Sequence, residues 1–238
     1  MAYKSITLTD KEQSNYFYGE AMKTLRANVQ FSGKSNKVIL VTSTRANEGK
    51  SDISFNLAVE LGKIGKKVLL IDADIRNSVY KTKYDINEET QGLSQYLSGQ
   101  IESIDQVVYK TNYENTYMIL AGPYAPNPTE MLADEQFGQL LKAARQVFEY
   151  VIVDTPPLGL VVDAAIVGQY CDGAILVIEK DATSYRACQK VKAQLEKSGC
   201  KTLGAVLNKA DAENIGFRGG KYKKPYGHGY YEPVEESK

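Results

Sequence analysis

The chain has 238 residues, 43% of them hydrophobic and 24% charged, which is enough for one large α/β domain with its own core. Its 29 basic and 29 acidic residues cancel, so the charge does not indicate a nucleic-acid partner. Three widely spaced cysteines form neither a metal cluster nor a disulfide framework. No apolar window approaches about 18 residues and no signal-peptide core is present, so we expect a cytoplasmic protein that reaches a membrane only through a partner.

The N-terminal residues 1–36 are mostly polar and carry a helical pattern over residues 18–29. Glu20, Lys23 and Arg26 follow one another at three-residue spacing, which places their charges on one face of such a helix. An ordinary solvated helix would show the same stripe.

Short β-rich runs alternate with helical patterns from about residue 37 to residue 208. Several of these runs are apolar at every position, as expected for parallel strands that are covered on both faces. The predicted strands are 38–42, 68–72, 117–120, 150–154, 174–178 and 203–207. The predicted helices of this region are 51–63, 135–147, 164–170 and 184–197. The alternation predicts an α/β fold with a doubly wound, mostly parallel sheet and helices on both faces.

A phosphate-binding loop is predicted after the first of these strands, at Asn47-Glu48-Gly49-Lys50-Ser51-Asp52. In such a loop the main-chain N–H groups point at the anion, and the following helix adds its dipole. Gly49 lets the backbone approach the phosphates, Lys50 brings a positive charge to the β- and γ-phosphates, and the Ser51 hydroxyl can ligate Mg²⁺. Thr44 stands where the general pattern has its first glycine, so the motif is incomplete. The prediction of a phosphate-binding loop therefore depends on the strand that precedes it and the helix that follows it.

Two aspartates, Asp72 and Asp154, each end an apolar run. In a parallel sheet both would fall at the same edge as Lys50. Strand-end aspartates commonly cap the next helix, but two that converge on a phosphate loop indicate ligands for Mg²⁺. Asp74 lies two residues beyond Asp72 and is a candidate general base for an attacking hydroxyl. Together these residues predict a P-loop NTPase type of fold that binds a nucleoside triphosphate with Mg²⁺.

Residues 216–238 are rich in Gly, Pro, Lys and Tyr and have almost no aliphatic side chains. We expect a disordered tail, because such a segment cannot bury enough surface to offset its ordering entropy. The chain therefore divides into an N-terminal segment (1–36), a P-loop domain (37–215) and a tyrosine-rich tail (216–238).

With these residues placed, the chain resembles the bacterial tyrosine kinases (BY-kinases) of capsule and exopolysaccharide synthesis, in particular the separate cytoplasmic kinase subunit of Gram-positive bacteria. The resemblance covers nearly the whole chain. Its segments are 20–28, 49–51, 56–58, 68–76, 92–99, 126–132, 151–157, 207–209 and the tail. The most specific parts are the tail and the segment Asp72-Ala-Asp74-Ile-Arg76, which matches the family's Walker A′ motif.

The resemblance implies an ATP- and Mg²⁺-dependent protein-tyrosine kinase in which Lys50 and Ser51 belong to Walker A and Asp154 is the Walker B acid. Asp72 and Asp74 would be the A′ carboxylates, one serving the metal and one the proton transfer. The implied catalytic residues are Lys50, Asp72, Asp74 and Asp154, the metal ligands are Ser51, Asp72 and Asp154, and the nucleotide-binding residues are 47–52 with Asn208.

The resemblance also implies autophosphorylation in trans within a ring-shaped homo-oligomer, for which eight subunits is a candidate number. The phosphoacceptors would be Tyr222, Tyr226, Tyr230 and Tyr231, and the oligomer contact would use Glu20, Lys23 and Arg26. Further implied partners are a membrane-embedded activator of the polysaccharide co-polymerase type, which recruits the kinase to the inner face of the plasma membrane, and an opposing tyrosine phosphatase. The activity would regulate polysaccharide synthesis and export.

Two positions depart from the family pattern. Asp52 stands where the family has Thr or another hydroxyl near the α-phosphate, and a carboxylate there repels a nucleotide although it favours the positive end of its helix. Lys23 stands where the oligomerisation motif has Arg, so the charge is kept but the bidentate fork is lost.

Two other functions are open on the sequence. A partition or positioning ATPase would carry a signature Lys five residues before Lys50, where this chain has Arg45. A nucleotide-binding regulator with catalysis weakened by Asp52 is the other. The clustered tyrosines of the tail favour the kinase, because a partition ATPase has no use for them.

Overall fold

The structure, a computed structural model, describes residues 3–9 and 16–210. The predicted tail and its four tyrosines lie outside the described residues. The strands are β1 (Lys4–Ser5), β2 (Val38–Ser43), β3 (Val68–Asp72), β4 (Val108–Lys110), β5 (Thr116–Ile119), β6 (Tyr150–Asp154), β7 (Gly173–Glu179) and β8 (Thr202–Asn208). The helices are α1 (Tyr16–Phe31), α2 (Lys50–Lys63), α3 (Tyr80–Lys83), α4 (Leu93–Leu97), α5 (Pro128–Ala133), α6 (Glu135–Val147), α7 (Asp163–Gly168) and α8 (Tyr185–Lys197), with a 3₁₀ turn at Ile104–Gln106.

Within the described part of the chain, the strands form one eight-stranded sheet in the order β1-β4-β5-β3-β6-β2-β7-β8. Its neighbouring strands are parallel except for β4 and β5, which run antiparallel. β2 lies inside the sheet, and later strands are added on both sides of it. The predicted doubly wound, mostly parallel α/β fold is confirmed.

The central strands are apolar at successive positions because both faces of the sheet are covered. Every residue of β2 and β3 is buried. Since side chains alternate between the faces of a strand, Leu40 joins one apolar cluster and Ile39 joins the other. The first cluster includes Phe137 of α6 and Leu195 of α8, and the second includes Leu57 of α2. The two clusters hold the helices against opposite faces.

The six predicted strands are found to within one residue at each end, and the predicted helices to within two. The sequence pattern missed β1 and β4, which have two and three residues. It also missed α3, α4 and α5, which have four to six. Elements this short do not complete enough of a period to be recognised.

The N-terminal segment shares the core of the P-loop domain. β1 pairs with β4, and Ile6 and Leu8 are buried in the same cluster as Met22 and Val29 of α1. The predicted domain boundaries stay a prediction. In the residues that the structure describes, no helix is both long enough and apolar enough to cross a lipid bilayer.

Candidate active site

The phosphate loop joins the end of β2 to the first turn of α2. Asn47 and Gly49 both have left-handed backbone conformations, with φ of 65° and 86°. Such reversals let neighbouring main-chain N–H groups converge on an anion. A Cβ on Gly49 would lie 2.1 Å from Asn208 Nδ2, so glycine is required there both by its φ and by the amide that fills the space beside it.

Glu48 braces the loop from inside. Its buried carboxylate accepts hydrogen bonds from the main-chain N–H groups of Thr44 (2.7 Å) and Arg45 (2.8 Å) and from the hydroxyl of Thr183. Burial alone would raise the pKa of Glu48, but the hydrogen bonds outweigh it and hold the pKa below its ordinary value. The Glu48 side chain, predicted to bind the nucleotide, is thus hydrogen-bonded within the protein. It would support nucleotide binding by fixing the conformation of the loop.

The end of β8 grips the same loop. Asn208 Nδ2 donates to the carbonyl of Glu48 at 3.0 Å, and Lys209 Nζ donates to the carbonyl of Asn47 at 2.7 Å while it pairs with Glu179. Sequence reasoning placed Asn208 at the nucleotide and gave Lys209 no role. The only sequence signal for this grip was the Leu-Asn-Lys segment at 207–209.

Asp72 and Asp154 stand side by side, as register partners at the ends of β3 and β6. Both are fully buried. Asp72 accepts hydrogen bonds from the Ser78 hydroxyl and from the N–H of Asp74, and Asp154 Oδ1 accepts one from Ser54 at 3.2 Å. Burial, with the neighbouring Asp154 charge as the next cause, raises the pKa of Asp72 to about 8. Burial also raises the pKa of Asp154, although Lys50 opposes the rise.

This pair fits a magnesium ion. Asp154 Oδ2 is buried and has no hydrogen-bond partner among the described residues, and the Ser51 hydroxyl faces the same carboxylate. Hard oxygen ligands that lack other partners are what Mg²⁺ prefers. Within the described residues, no three His, Cys, Asp or Glu side chains could hold a metal by themselves, so phosphate and water would complete the shell. A bound Mg²⁺ would neutralise phosphate charge and polarise the transferring group.

Asp74 faces the lysine of the phosphate loop. Its Oδ2 lies 3.5 Å from Lys50 Nζ, and both side chains are largely buried. The other carboxylate oxygen accepts the N–H of Asn77 at 3.0 Å, so the turn after β3 fixes the side chain. The candidate base and the candidate phosphate-binding lysine are therefore adjacent in the site.

Arg76, the last residue of the A′ segment, anchors this turn. Its guanidinium donates to the buried carboxylate of Asp163 at 2.6 and 3.0 Å and to the hydroxyl of Thr129 at 2.6 Å. Two side chains from α5 and α7 thus hold the strand-end segment that carries Asp74.

Asp52 does not stand alone at the start of α2. It forms an ion pair with Lys83, the last residue of α3. This contact partly offsets the negative charge that the sequence predicts to repel a nucleotide, and the placing of Asp52 at the nucleotide stays a prediction. The sequence could not reveal the pair because α3 was not recognised and 31 positions separate the two residues.

The charged residues Glu20, Lys23 and Arg26 of α1 lie in two different environments. Lys23 pairs with Glu20 at 2.7 Å on the exposed face of the helix. Arg26 instead pairs with Glu60 of α2 at 3.2 Å, in a partly buried contact within the same chain. Glu20 and Lys23 are therefore open to a neighbouring molecule, whereas Arg26 already helps to join α1 to α2.

Comparison with known proteins agrees with this geometry. A family model described as an AAA domain matches residues 36–201. The tyrosine-protein kinase CpsD of Streptococcus agalactiae serotype III is 43% identical over 192 residues, which cover 81% of this chain and 82% of the relative. CpsD of Streptococcus pneumoniae serotype 4 is 39% identical and covers 89% and 90%.

The chain belongs to the bacterial tyrosine-protein kinase family.

Solved structures of two related proteins have a similar fold. The kinase domain of the Escherichia coli tyrosine kinase ETK superposes with a TM-score of 0.77 at 26% identity and covers 95% of this chain and 94% of that one. The septum site-determining protein MinD of Pyrococcus horikoshii, solved with Mg-ADP, superposes with a TM-score of 0.63 at 26% identity, over 72% of this chain and 69% of that one. The P-loop NTPase type of fold is thereby confirmed.

Proposed function

We propose that this chain is an ATP-dependent protein-tyrosine kinase that phosphorylates tail tyrosines of a neighbouring subunit in a ring oligomer. By this activity it regulates the synthesis and export of a capsular or extracellular polysaccharide. The acceptors are Tyr222, Tyr226, Tyr230 and Tyr231, which lie outside the described residues.

One observation carries the proposal: Asp74 faces Lys50 beside the paired carboxylates of Asp72 and Asp154. Lys50 is the side chain that meets the β- and γ-phosphates in a loop of this type. A carboxylate at that point is near enough to take a proton from a hydroxyl that attacks the γ-phosphate. Asp72 lies deeper, and its two oxygens already accept hydrogen bonds from the Ser78 hydroxyl and the N–H of Asp74, so Asp72 is the less suitable base.

The tyrosine oxygen attacks the γ-phosphorus while its proton passes to Asp74, and the bond from the γ-phosphorus to the β–γ bridging oxygen breaks to release ADP. Lys50 and the main-chain N–H groups of the loop stabilise the charge that spreads over the phosphoryl oxygens. Ser51, Asp72 and Asp154 would hold the Mg²⁺.

Tail charge supports a cycle of assembly and release. The unmodified tail carries Arg218, Lys221, Lys223 and Lys224 near its tyrosines and would be attracted to a carboxylate-rich site on a neighbour. Each phosphate adds about −1.5 to −2 charges. A phosphorylated tail would be repelled by the carboxylates and the nucleotide, which loosens the ring until a tyrosine phosphatase resets it. A membrane-embedded activator would recruit the kinase to the inner face of the plasma membrane.

A phosphotyrosine assay with Mg-ATP tests the activity. The parent should become modified on the tail, whereas Asp74→Asn should not, even though it binds nucleotide normally. An unmodified parent, with and without the activator's cytoplasmic segment, would contradict the proposal.

Mixing two defective proteins tests transfer in trans. A Lys50→Met protein has acceptors without activity, and a protein with all four tail tyrosines changed to Phe has activity without acceptors. Phosphotyrosine on the Lys50→Met partner is the expected result. Labelling that occurs only within single active chains, independent of protein concentration, would exclude the trans mechanism.

The ring contact is tested by light scattering. Glu20→Ala with Lys23→Ala should yield monomers while α1 stays in place. The matched control is Lys63→Ala, which removes another partner of Glu60 without touching the exposed stripe. An unaltered mass in the double variant would reject this interface. The four-Phe variant should stay assembled in Mg-ATP when the parent dissociates.

The partition-type ATPase finds less support. Arg45, in the position of the signature Lys, donates from Nη1 to the carbonyl of Ala182 in its own chain at 2.6 Å. The nucleotide-binding regulator loses its main argument because Asp52 is paired. Nucleotide binding without phosphotyrosine in any condition would favour one of these two functions over the kinase.

A further inference from the structure

A closed hydrogen-bond network begins two residues along the chain from the candidate base. Its members are Arg76 in the turn after β3, Asp163 in α7 and Thr129 in α5. Arg76 donates from Nε to Asp163 Oδ2 at 2.6 Å and from Nη2 to Oδ1 at 3.0 Å. The Thr129 hydroxyl accepts from Arg76 Nη2 at 2.6 Å and donates to Asp163 Oδ1 at 2.9 Å. Each member therefore bonds both of the others.

Two members of the network are fixed by the core of the domain. The Asp163 side chain has no exposed surface. Leu132 of α5 and Ala164 of α7 are buried in the same apolar cluster as Phe137, and the two short helices also pack against each other. Asp163 and Thr129 are therefore presented by elements whose positions are set by packing and not by the turn they contact.

The turn that carries Asp74 needs such an anchor. The end of the strand is held as far as Ala73, whose N–H donates to the carbonyl of Asp154 at 2.8 Å. Beyond it Ile75 is buried, but residues 77–79 are exposed. The hydrogen bond from the Asn77 N–H to Asp74 Oδ1 lies within the turn, so it moves with the turn and cannot fix Asp74 relative to Lys50. Arg76 supplies the link from this turn to α5 and α7.

Stability alone gives little reason for this ion pair. Burial of a charged carboxylate costs free energy that pairing with an arginine often returns only in part. The pKa of Arg76 is raised, chiefly by its hydrogen bond to Asp163, and the charge of Asp74 is among the smaller contributors to the same rise. The network thus holds a guanidinium that interacts with the candidate base, which is expected where the position of a functional group has to be fixed.

We propose that Asp163 and Thr129 are positioning residues for phosphoryl transfer, which act through Arg76 to hold Asp74 beside Lys50. None of the three needs to touch the nucleotide or the tyrosine. Without them the domain still folds, but Asp74 occupies its place beside Lys50 for only part of the time. A misplacement of about 1 Å in a reacting group can cost about a hundredfold in rate. This inference rests on the proposed function.

The test measures the initial rate of tail phosphorylation against Mg-ATP concentration, together with calorimetric binding of Mg-ADP. Asp163→Asn should lower kcat at least about tenfold and Thr129→Val about fivefold, because Asp74 is no longer held beside Lys50. The KM for ATP and the Kd for Mg-ADP should stay within about twofold of the parental values, since no member of the network belongs to the phosphate loop.

Two comparisons separate positioning from stability. Thr129→Ser keeps the hydroxyl and should retain nearly the parental kcat, whereas Thr129→Val keeps the shape of the side chain but loses the hydroxyl. Asp172→Asn disrupts the same kind of fork, which Arg145 forms with Asp172 at 2.9 Å just before β7. This control should lower the unfolding midpoint but leave kcat within about twofold of the parent, because it lies at the other end of the strands.

Three results would overturn the inference while the kinase stands. The first is a parental kcat in Thr129→Val, which decides the matter even if Asp163→Asn does not fold. The second is an equal loss of kcat in Asp163→Asn and Asp172→Asn, and the third is weaker binding of Mg-ADP that accounts for the slower transfer. A parent that forms no phosphotyrosine in any condition would instead reject the proposed function, and this role of the network with it.

Discussion

Acidic residues at the two ends of the parallel strands have opposite surroundings. The side of the sheet where these strands begin is called the amino edge, and the side where they end is called the carboxyl edge. At the amino edge, Asp172 accepts the N–H groups of Lys37 and Val38, each at 2.8 Å, and a two-pronged pair from Arg145 at 2.9 Å. At the carboxyl edge, Asp72 and Asp154 lie side by side in full burial, and one oxygen of Asp154 has no partner among the described residues.

The pKa values follow the same division. Burial works against the Asp172 carboxylate, but the Arg145 fork and the two N–H groups outweigh it and lower its pKa. Burial and the neighbouring Asp154 raise the pKa of Asp72 to about 8. At the amino edge the hydrogen bonds of Asp172 stabilise the folded protein. At the carboxyl edge, burial and mutual repulsion destabilise the charged carboxylates of Asp72 and Asp154, and a bound cation would offset that cost.

The largest expected effect is on the chemistry at the carboxyl edge. Lys50→Met should lower tail phosphorylation by at least about a hundredfold, because it removes the charge that meets the γ-phosphate in transfer. The fold should persist, as judged by an unfolding midpoint close to that of the parent. Retention of most of the phosphotyrosine signal would mean that the site has been misassigned.

Asp72→Asn should make the Mg²⁺-free protein more stable, by about 2 kcal/mol at pH 8, because it removes one of two adjacent buried charges. The folded pKa of Asp72 lies above its ordinary value of 3.8. The unfolded chain therefore loses this proton first, and parental stability should fall as pH rises from about 4 to about 8.

Urea unfolding across that pH range gives the measurement. The variant should show a flatter profile and a smaller rise in midpoint when Mg²⁺ is added. A less stable variant would mean that the two carboxylates do not repel each other in the folded protein.

Asp172→Asn should have the opposite sign and cost about 2 kcal/mol at neutral pH, through loss of charge-assisted hydrogen bonds in a partly exposed site. Because the folded pKa of Asp172 is lowered, its contribution is present above the unfolded value of 3.8 and is lost as pH falls through the folded pKa. Glu149→Gln, which breaks an exposed pair with Lys66 at the same edge, is the control and should cost less. If both variants lost the same free energy of unfolding, the hydrogen bonds of Asp172 would stabilise the protein no more than an exposed ion pair does.

Tyr80→Phe should give the smallest change, a loss of about 1 kcal/mol in the free energy of unfolding, because one buried hydrogen bond to Ser51 disappears while the ring still stacks. Tyr84→Phe, in the same aromatic cluster, provides the comparison. The Mg²⁺ dependence of nucleotide binding should weaken in Tyr80→Phe only, since Ser51 is its neighbour. An identical response of both variants would make Tyr80 a packing residue alone.

Local sequence determined much of this protein. The runs that became β2 and β3 are apolar at successive positions, and a strand buried on both faces needs that composition. The segment around Lys50 and the aspartates that end β3 and β6 were recognisable because each depends on neighbouring positions. Short elements such as β4 and α3 were not, since they end before a period is established.

Tertiary structure alone decided how these parts meet. That Asp72 stands opposite Asp154 depends on the strand order, which no local pattern encodes. Glu48 turns inward because Thr183, far along the chain, reaches it, and Lys209 grips the loop from the end of β8. Lys83 neutralises Asp52 because the aromatic packing of α3 brings it there. Such contacts join residues from separate elements, so their partners are fixed by packing of the whole sheet and not by spacing along the chain.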